Sequence, residues 1–190
     1  MISFNLLFLY LYEMKIKAND HYTRFYVLFK AKLLTIDDYN ALKEGAKEQE
    51  IPKPFLQLTL DEYFGLLKAV KGGDLAIITY LFGKEQNTMT IARFFGLLKT
   101  IEKQFKIVKN AFDNIQRPPM SSEAVQAGFG TLDFGEFGLL DYIAKRQNLS
   151  DKEASETLLG FVIMKLQNDA KVAMCEYKMN EIVKAKYKTK

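Results

Sequence analysis

The 190-residue chain holds one cysteine, Cys175, one histidine, His21, and no tryptophan. A single thiol excludes an internal disulfide framework, and one imidazole with one thiol cannot build a zinc site of cysteines and histidines. His21 stands beside Asp20 at an expected helix start with no nucleophile motif elsewhere to serve, so it reads as a structural or capping residue. Cys175, between Met174 and Glu176 and near Tyr177, reads as a small buried hydrophobe and not as an activated thiolate.

Long apolar runs are also missing. Residues 1–12 carry Ile2, Phe4, Leu6, Leu7, Phe8, Leu9, Tyr10, Leu11 and Tyr12, but this falls well short of the ~20 residues a membrane span needs. No lysine precedes the run and Glu13, Met14 and Lys15 follow it, which is not the layout of a secretory signal. Met14 offers an alternative start, leaving 1–13 as an over-extended translation or a docking strand. The expected compartment is the cytoplasm in either case.

What the chain does have is a globular balance: 48% apolar and 26% charged residues can enclose a core. The net charge of +4 is concentrated at one end. Lys165, Lys171, Lys178, Lys184, Lys186, Lys188 and Lys190 stand against Asp169, Glu176 and Glu181, which accounts for the whole surplus. Lysines there favour a helix C-terminus, and they would also suit contact with phosphates or an acidic partner.

Apolar residues recur at three- and four-residue intervals almost throughout, which predicts an all-α protein, an irregular multi-helix bundle. Helices are expected over Tyr22–Leu34, Ile36–Lys47 behind Thr35, and Leu60–Lys71 behind a Thr59/Glu62 capping box that buries Tyr63, Phe64, Leu67 and Val70. A short apolar helix, Leu75–Phe82, follows with Asp74 as cap. The longest central helix opens at Thr88 or Thr90 and runs through Ile91, Phe94, Phe95, Leu98, Ile101, Phe105, Val108 and Phe112. Pro118, Pro119, Gly128, Gly130, Gly135 and Gly138 then argue for a Gly/aromatic loop or small β-hairpin near 120–137 that docks Phe129 and Phe134. A short helix, Leu139–Gln147, precedes a Ser150/Glu153 capping box and a helix from Lys152 to about Lys186, which Gly160 would split or kink. The expected organisation is therefore an apolar extension, 1–13; a helical domain, 14–115; a Pro/Gly-rich loop, 116–137; and a helical C-terminal region, 138–190. Phe-Gly-Leu-Leu occurs at 64–67, 95–98 and 137–140, at intervals too unequal for a solenoid. Glycine within helices at these sites points to close crossings, and chance recurrence or duplication could have produced the copies.

Catalytic chemistry finds little footing. Gly128-Phe129-Gly130-Thr131 lacks the lysine of a phosphate-binding loop, and Asp133 with Glu136, or Asp37 with Asp38, have no defined separation. A helix-turn-helix over Leu139–Asn148 and Ser150–Leu159 would oppose phosphate with Asp141, Asp151, Glu153 and Glu156. No catalytic, cofactor-binding or metal residue emerges.

The stretch Phe134-Gly135-Glu136-Phe137-Gly138-Leu139-Leu140-Asp141-Tyr142-Ile143-Ala144-Lys145-Arg146, followed by "NLSDKEASETLLGFVIMKLQNDAKVAMCEYK", resembles the small helical tail-assembly proteins of tailed bacteriophages, in which a capped helix pair ends in a lysine-rich helix. The likeness covers the last third of the chain. It implies a non-enzymatic protein that associates with virion or assembly components, in the host cytoplasm or the virion.

The expected function is thus a helical interaction or assembly module without cofactor, acting on protein partners or on itself. The expected contact set is Leu159, Val162, Ile163, Leu166, Ala170, Ala173 and Tyr177 on the C-terminal helix, flanked by the adaptable Met164, Met174 and Met179, with Phe129 and Phe134 from the loop. Aspartate at positions 166 and 173 should abolish assembly if these residues face a partner, and should destroy the fold if they face the core. The alternative is a nucleic-acid-binding protein that uses Lys178, Lys184, Lys186 and Lys188 for phosphate contacts.

Overall fold

A computed structural model of the chain describes residues 35–83, 89–128 and 135–188. The expected N-terminal extension, the Tyr22–Leu34 helix, His21, Phe129 and Phe134 lie outside these residues. Among the described residues the fold is all-α, with eight α-helices, one 3-10 turn and no strand. The described residues form two compact units that interleave along the sequence: those up to 54 with those of 65–106, and 55–64 with those from 107 on.

In the first unit, α1 (Ile36–Gly45) starts at a capping box in which the Asp38 amide donates to Thr35 Oγ1 at 3.2 Å and the Thr35 amide to Asp38 Oδ2 at 2.7 Å. α2 (Leu60–Lys71) opens in the second unit and ends in the first. α3 (Asp74–Phe82) sits between Gly73 (φ 84°) and Gly83 (φ 55°), two conformations that favour glycine, so Asp74 is the first helical residue and not the cap. α4 (Ile91–Asp113) begins behind Thr90, whose hydroxyl accepts from the Arg93 amide at 3.2 Å. Its residues Phe94, Phe95, Leu97, Leu98 and Ile101 are buried, as are Leu66 of α2 and Ile77 and Ile78 of α3.

Two copies of Phe-Gly-Leu-Leu sit where other groups come close. A side chain on Gly96 would collide with the Lys47 carbonyl, and one on Gly65 with the Tyr80 ring. Around Gly96 the 45–50 segment is tied to α4: Thr100 Oγ1 donates to the Gln49 carbonyl at 2.7 Å, and Lys99 Nζ donates to the Glu44 and Ala46 carbonyls at 2.9 and 3.3 Å. Lys99 thereby satisfies carbonyls at the end of α1, which lack helical partners.

The second unit rests on its inserted segment. Phe55–Gln57 forms the 3-10 turn, and residues 58–60 pair with 157–159: the Leu60 amide donates to the Thr157 carbonyl at 2.9 Å, and Leu159 to Leu58 at 2.8 Å. The helices here are α5 (Ser122–Gln126), α6 (Gly135–Gln147), α7 (Asp151–Ser155) and α8 (Leu159–Lys188).

Several expectations change. The 116–137 region holds a helix, α5, because Ser121 accepts from the Ala124 amide and so caps it, and α6 begins at Gly135, taking Phe137 and Gly138 into the helix. The single helix expected from Lys152 is two, and the break falls at residues 156–158, not at Gly160, because Leu58 and Leu60 draw residues 157–159 into backbone pairing. Gly160 lies in the first turn of α8, where an added Cβ would stand 2.8 Å from the Leu56 carbonyl. Along α2, Leu60 and Leu66 are buried, Leu67 is half-buried, and Val70 is exposed. α6 ends as expected at Asn148, which adopts φ 53° while the Leu149 amide reaches the Ala144 carbonyl at 2.9 Å.

Candidate functional site

α8 has 30 residues, about 45 Å at ~1.5 Å per residue. Its two halves differ. In the first, Leu159, Val162, Ile163 and Ala170 are buried, and polar bonds fasten both flanks. On one flank Asp169 takes Tyr142 Oη at 2.7 Å and the Arg146 guanidinium in a two-pronged pair, Nε at 3.0 Å and Nη2 at 3.2 Å. On the other, Gln167 Nε2 donates to the Ala111 carbonyl of α4 at 3.2 Å.

The Tyr142–Asp169–Arg146 cluster suits fastening better than chemistry. Burial, and then the hydrogen bond to Asp169, push the Tyr142 phenol up to about 12, so it keeps its proton as a donor. The Arg146 hydrogen bonds, and then that of Tyr142, hold the Asp169 carboxyl below the usual carboxylate range. Arg146 is raised in turn by Asp169. A base or acid working near neutrality would need a pKa close to 7, and none of the three is moved that way. An open groove of about 1060 Å³ lies beside the cluster, lined by Phe137, Leu140, Asp141, Tyr142, Lys145 and Asp151 among others. Within it Lys145 pairs with Asp141 at 2.8 Å.

A smaller groove of about 440 Å³ in the first unit is lined by alternating lysines and glutamates. Lys43 pairs there with Glu102, and Lys103 with Glu48 at 2.9 Å. The cations already present neutralise the carboxylates that a metal would need. Among the described residues no cluster of three His, Cys, Asp or Glu side chains could hold a metal ion, and no helix is long and apolar enough to cross a membrane.

The second half of α8 has a different surface. Beyond Ala170 none of the described residues is buried, and Ala173, Met174 and Tyr177 are half-buried. Val172, Met179, Ile182, Val183 and Tyr187 are exposed, as is Cys175, which is therefore not the enclosed hydrophobe its neighbours suggested. At ~100° per residue Val172, Cys175, Met179, Ile182 and Val183 fall on one stripe with the exposed Phe161 and Met164, on the face turned away from Leu159, Ile163 and Ala170, whereas Tyr187 falls on the flank of Asp169. α8 thus carries apolar residues on two opposed faces.

The expected contact set must be corrected accordingly. Leu159, Val162, Ile163 and Ala170 are enclosed by the chain's own fold and offer no free apolar surface, whereas Leu166, Ala173 and Tyr177 continue that inward face half-buried. The flanking Met164 and Met179, 46% and 63% exposed, lie on the outer stripe with Phe161, Val172, Ile182 and Val183, which a single inward apolar face does not include. The signal was present: Val172, Cys175, Met179 and Ile182 repeat at intervals of three and four. Of the lysines proposed for phosphate, Lys178, Lys184 and Lys186 are exposed, Lys184 bonds Glu181 at 3.0 Å, and the side chain of Lys188 lies outside the described residues. Glu123 of α5 also lies within electrostatic reach of Lys184, so part of this basic end already faces carboxylates of its own chain.

Searches against protein-family models, curated proteins and solved structures find no match to this chain.

Proposed function

We propose that the chain is a non-enzymatic helical interaction or assembly module that binds protein through the outer face of α8. The observation that carries this reading is the exposed apolar stripe of Val172, Cys175, Met179, Ile182 and Val183, opposite the face that Leu159, Ile163 and Ala170 turn to the core. Contiguous exposed apolar surface is costly in water and on soluble proteins marks contact sites. Met164 and Met179 suit such a surface, since an unbranched thioether adapts to the partner's shape. The likeness of the C-terminal third to tail-assembly proteins of tailed bacteriophages agrees with this role and extends it to virion assembly.

A photo-crosslinking amino acid at position 179 tests the reading in cells, with the same probe at the half-buried position 174 as control. Discrete protein adducts at 179 and few at 174 are expected. Absence of any adduct at 179 would overturn it.

The second reading, nucleic-acid binding, is favoured only by exposed Lys178, Lys184 and Lys186. Phosphate contacts would make affinity fall steeply with salt. Glu181, paired with Lys184, and exposed Glu176 on the same stretch would oppose a phosphate backbone.

A further inference from the structure

Resting on that reading, we infer that the partner of the outer face of α8 is a second copy of this chain, joined as a parallel two-stranded coiled coil over residues 161–186. Phe161, Lys165, Asn168, Val172, Cys175, Met179, Ile182 and Lys186 alternate at four and three residues, the spacing of a heptad seam. Phe161, Asn168, Cys175 and Ile182 take the d positions, and Lys165, Val172, Met179 and Lys186 the a positions. The centre, from Val172 to Ile182, is apolar or thiol, and all four of its seam side chains are exposed. Toward the ends stand Asn168 and two lysines, polar seam residues of the kind that set register and strand number at some cost in affinity. Lys165 already lies over the Phe161 ring, its Nζ 5.2 Å from the centroid, so its charge has a place beside the seam.

The flanking charges choose the orientation. Lys171 and Lys178 sit at g positions, on one side of the seam, and Asp169 and Glu176 at e positions, on the other. Lys171, Lys178 and Glu176 are exposed, whereas Asp169 is held by Arg146 and Tyr142. In a parallel pair in register, g faces the e position five residues on in the other copy. Lys171 then meets Glu176 of the other copy, and symmetry makes that pair twice. In an antiparallel pair g faces g and e faces e, so lysines would oppose lysines and carboxylates would oppose carboxylates. Complementarity therefore selects the parallel form.

The chain's own fold leaves room for it. Asp169 on one flank reaches α6, and Gln167 on the other reaches α4, so the two bonds bracket the buried face, and Val172, Cys175, Met179 and Ile182 on the side away from it are exposed. The seam and its flanks supply about fifteen residues a side, below the ~20–30 of a standard interface. Association should be reversible and depend on concentration.

Sedimentation velocity on the purified full chain, with Cys175 kept reduced, should show a monomer–dimer equilibrium. Lys171→Glu should weaken the dimer about tenfold or more, and the double variant Lys171→Glu, Glu176→Lys should restore it. An antiparallel dimer would respond to Lys171→Glu in the opposite sense. Cys175→Ser with Lys186→Cys should oxidise readily to a covalent dimer, because parallel helices place the two introduced thiols side by side. A monomer at every concentration overturns self-association, whether the stripe is covered by a segment of the same chain or by another protein. Adducts at position 179 with a different protein would then keep the interaction role itself alive. A dimer that Lys171→Glu strengthens, or that position 186 cannot cross-link, overturns the parallel arrangement.

Discussion

The two halves of α8 share one helix but meet different surroundings. From Leu159 to Ala170 the helix is enclosed on one face and fastened on both flanks by Asp169 and Gln167. From Lys171 to Tyr187 it keeps the same periodic apolar residues with none of them buried. Periodicity creates a helix in both halves, and the neighbours decide which face is core. The contrast teaches that an apolar stripe reports where contact is needed without saying whether the contact is internal.

Substitutions can break that contrast, and the largest effect should come from the enclosed half. Val162→Asp places a carboxylate at a position with no exposed surface, which should cost about 4 kcal/mol or more and unfold the second unit. Thermal melting followed by circular dichroism checks it. Next, Gly160→Val must push the helix start off the Leu56 carbonyl. Overpacking of this kind costs about 1–3 kcal/mol, readable as a lower urea midpoint with unchanged slope.

Tyr142→Phe removes the hydrogen bond to the Asp169 carboxylate and should cost about 1 kcal/mol. It should also change the pH profile. The folded-state pKa of Tyr142 is raised from 10 to about 12, so the folded protein binds more protons in that range and its stability falls as pH rises through it. The variant should lose this part of the alkaline slope. Asp169 acts at the other end: its lowered pKa gives stability that is present above the ordinary carboxylate range and disappears as pH falls through the depressed value. The smallest effect on stability belongs to the outer half, where Val172→Asp, at a position 58% exposed, should move the melt by about 0.5 kcal/mol or less. Its association should nonetheless be lost, which equilibrium sedimentation would measure.

Much of this fold was legible locally. Thr35, Thr59, Thr90 and Ser150 cap helices because a short hydroxyl side chain reaches back to an amide three residues on, a feature that needs no tertiary information. Glycines at 73 and 83 end helices for an equally local reason. The break at 156–158 was not legible, because its cause is backbone pairing with residues 58–60, about a hundred positions away in the sequence. α5 was hidden by the surrounding prolines and glycines, although Ser121 carried its cap signal. For the site, Met164 and Met179 pointed to the outer face while the stronger stripe beside them pointed inward. Leu159 and Val172 look alike in sequence, and only burial separates them.

Amide hydrogen exchange along α8, measured on the wild-type chain at low and high concentration, puts the difference between its halves to the most direct test. Residues 159–170 should be protected at every concentration, whereas 171–188 should exchange rapidly when dilute and slow markedly as the chain is concentrated. Equal and strong protection of both halves in the dilute monomer would contradict the account, since the outer face would then need no second molecule to cover it.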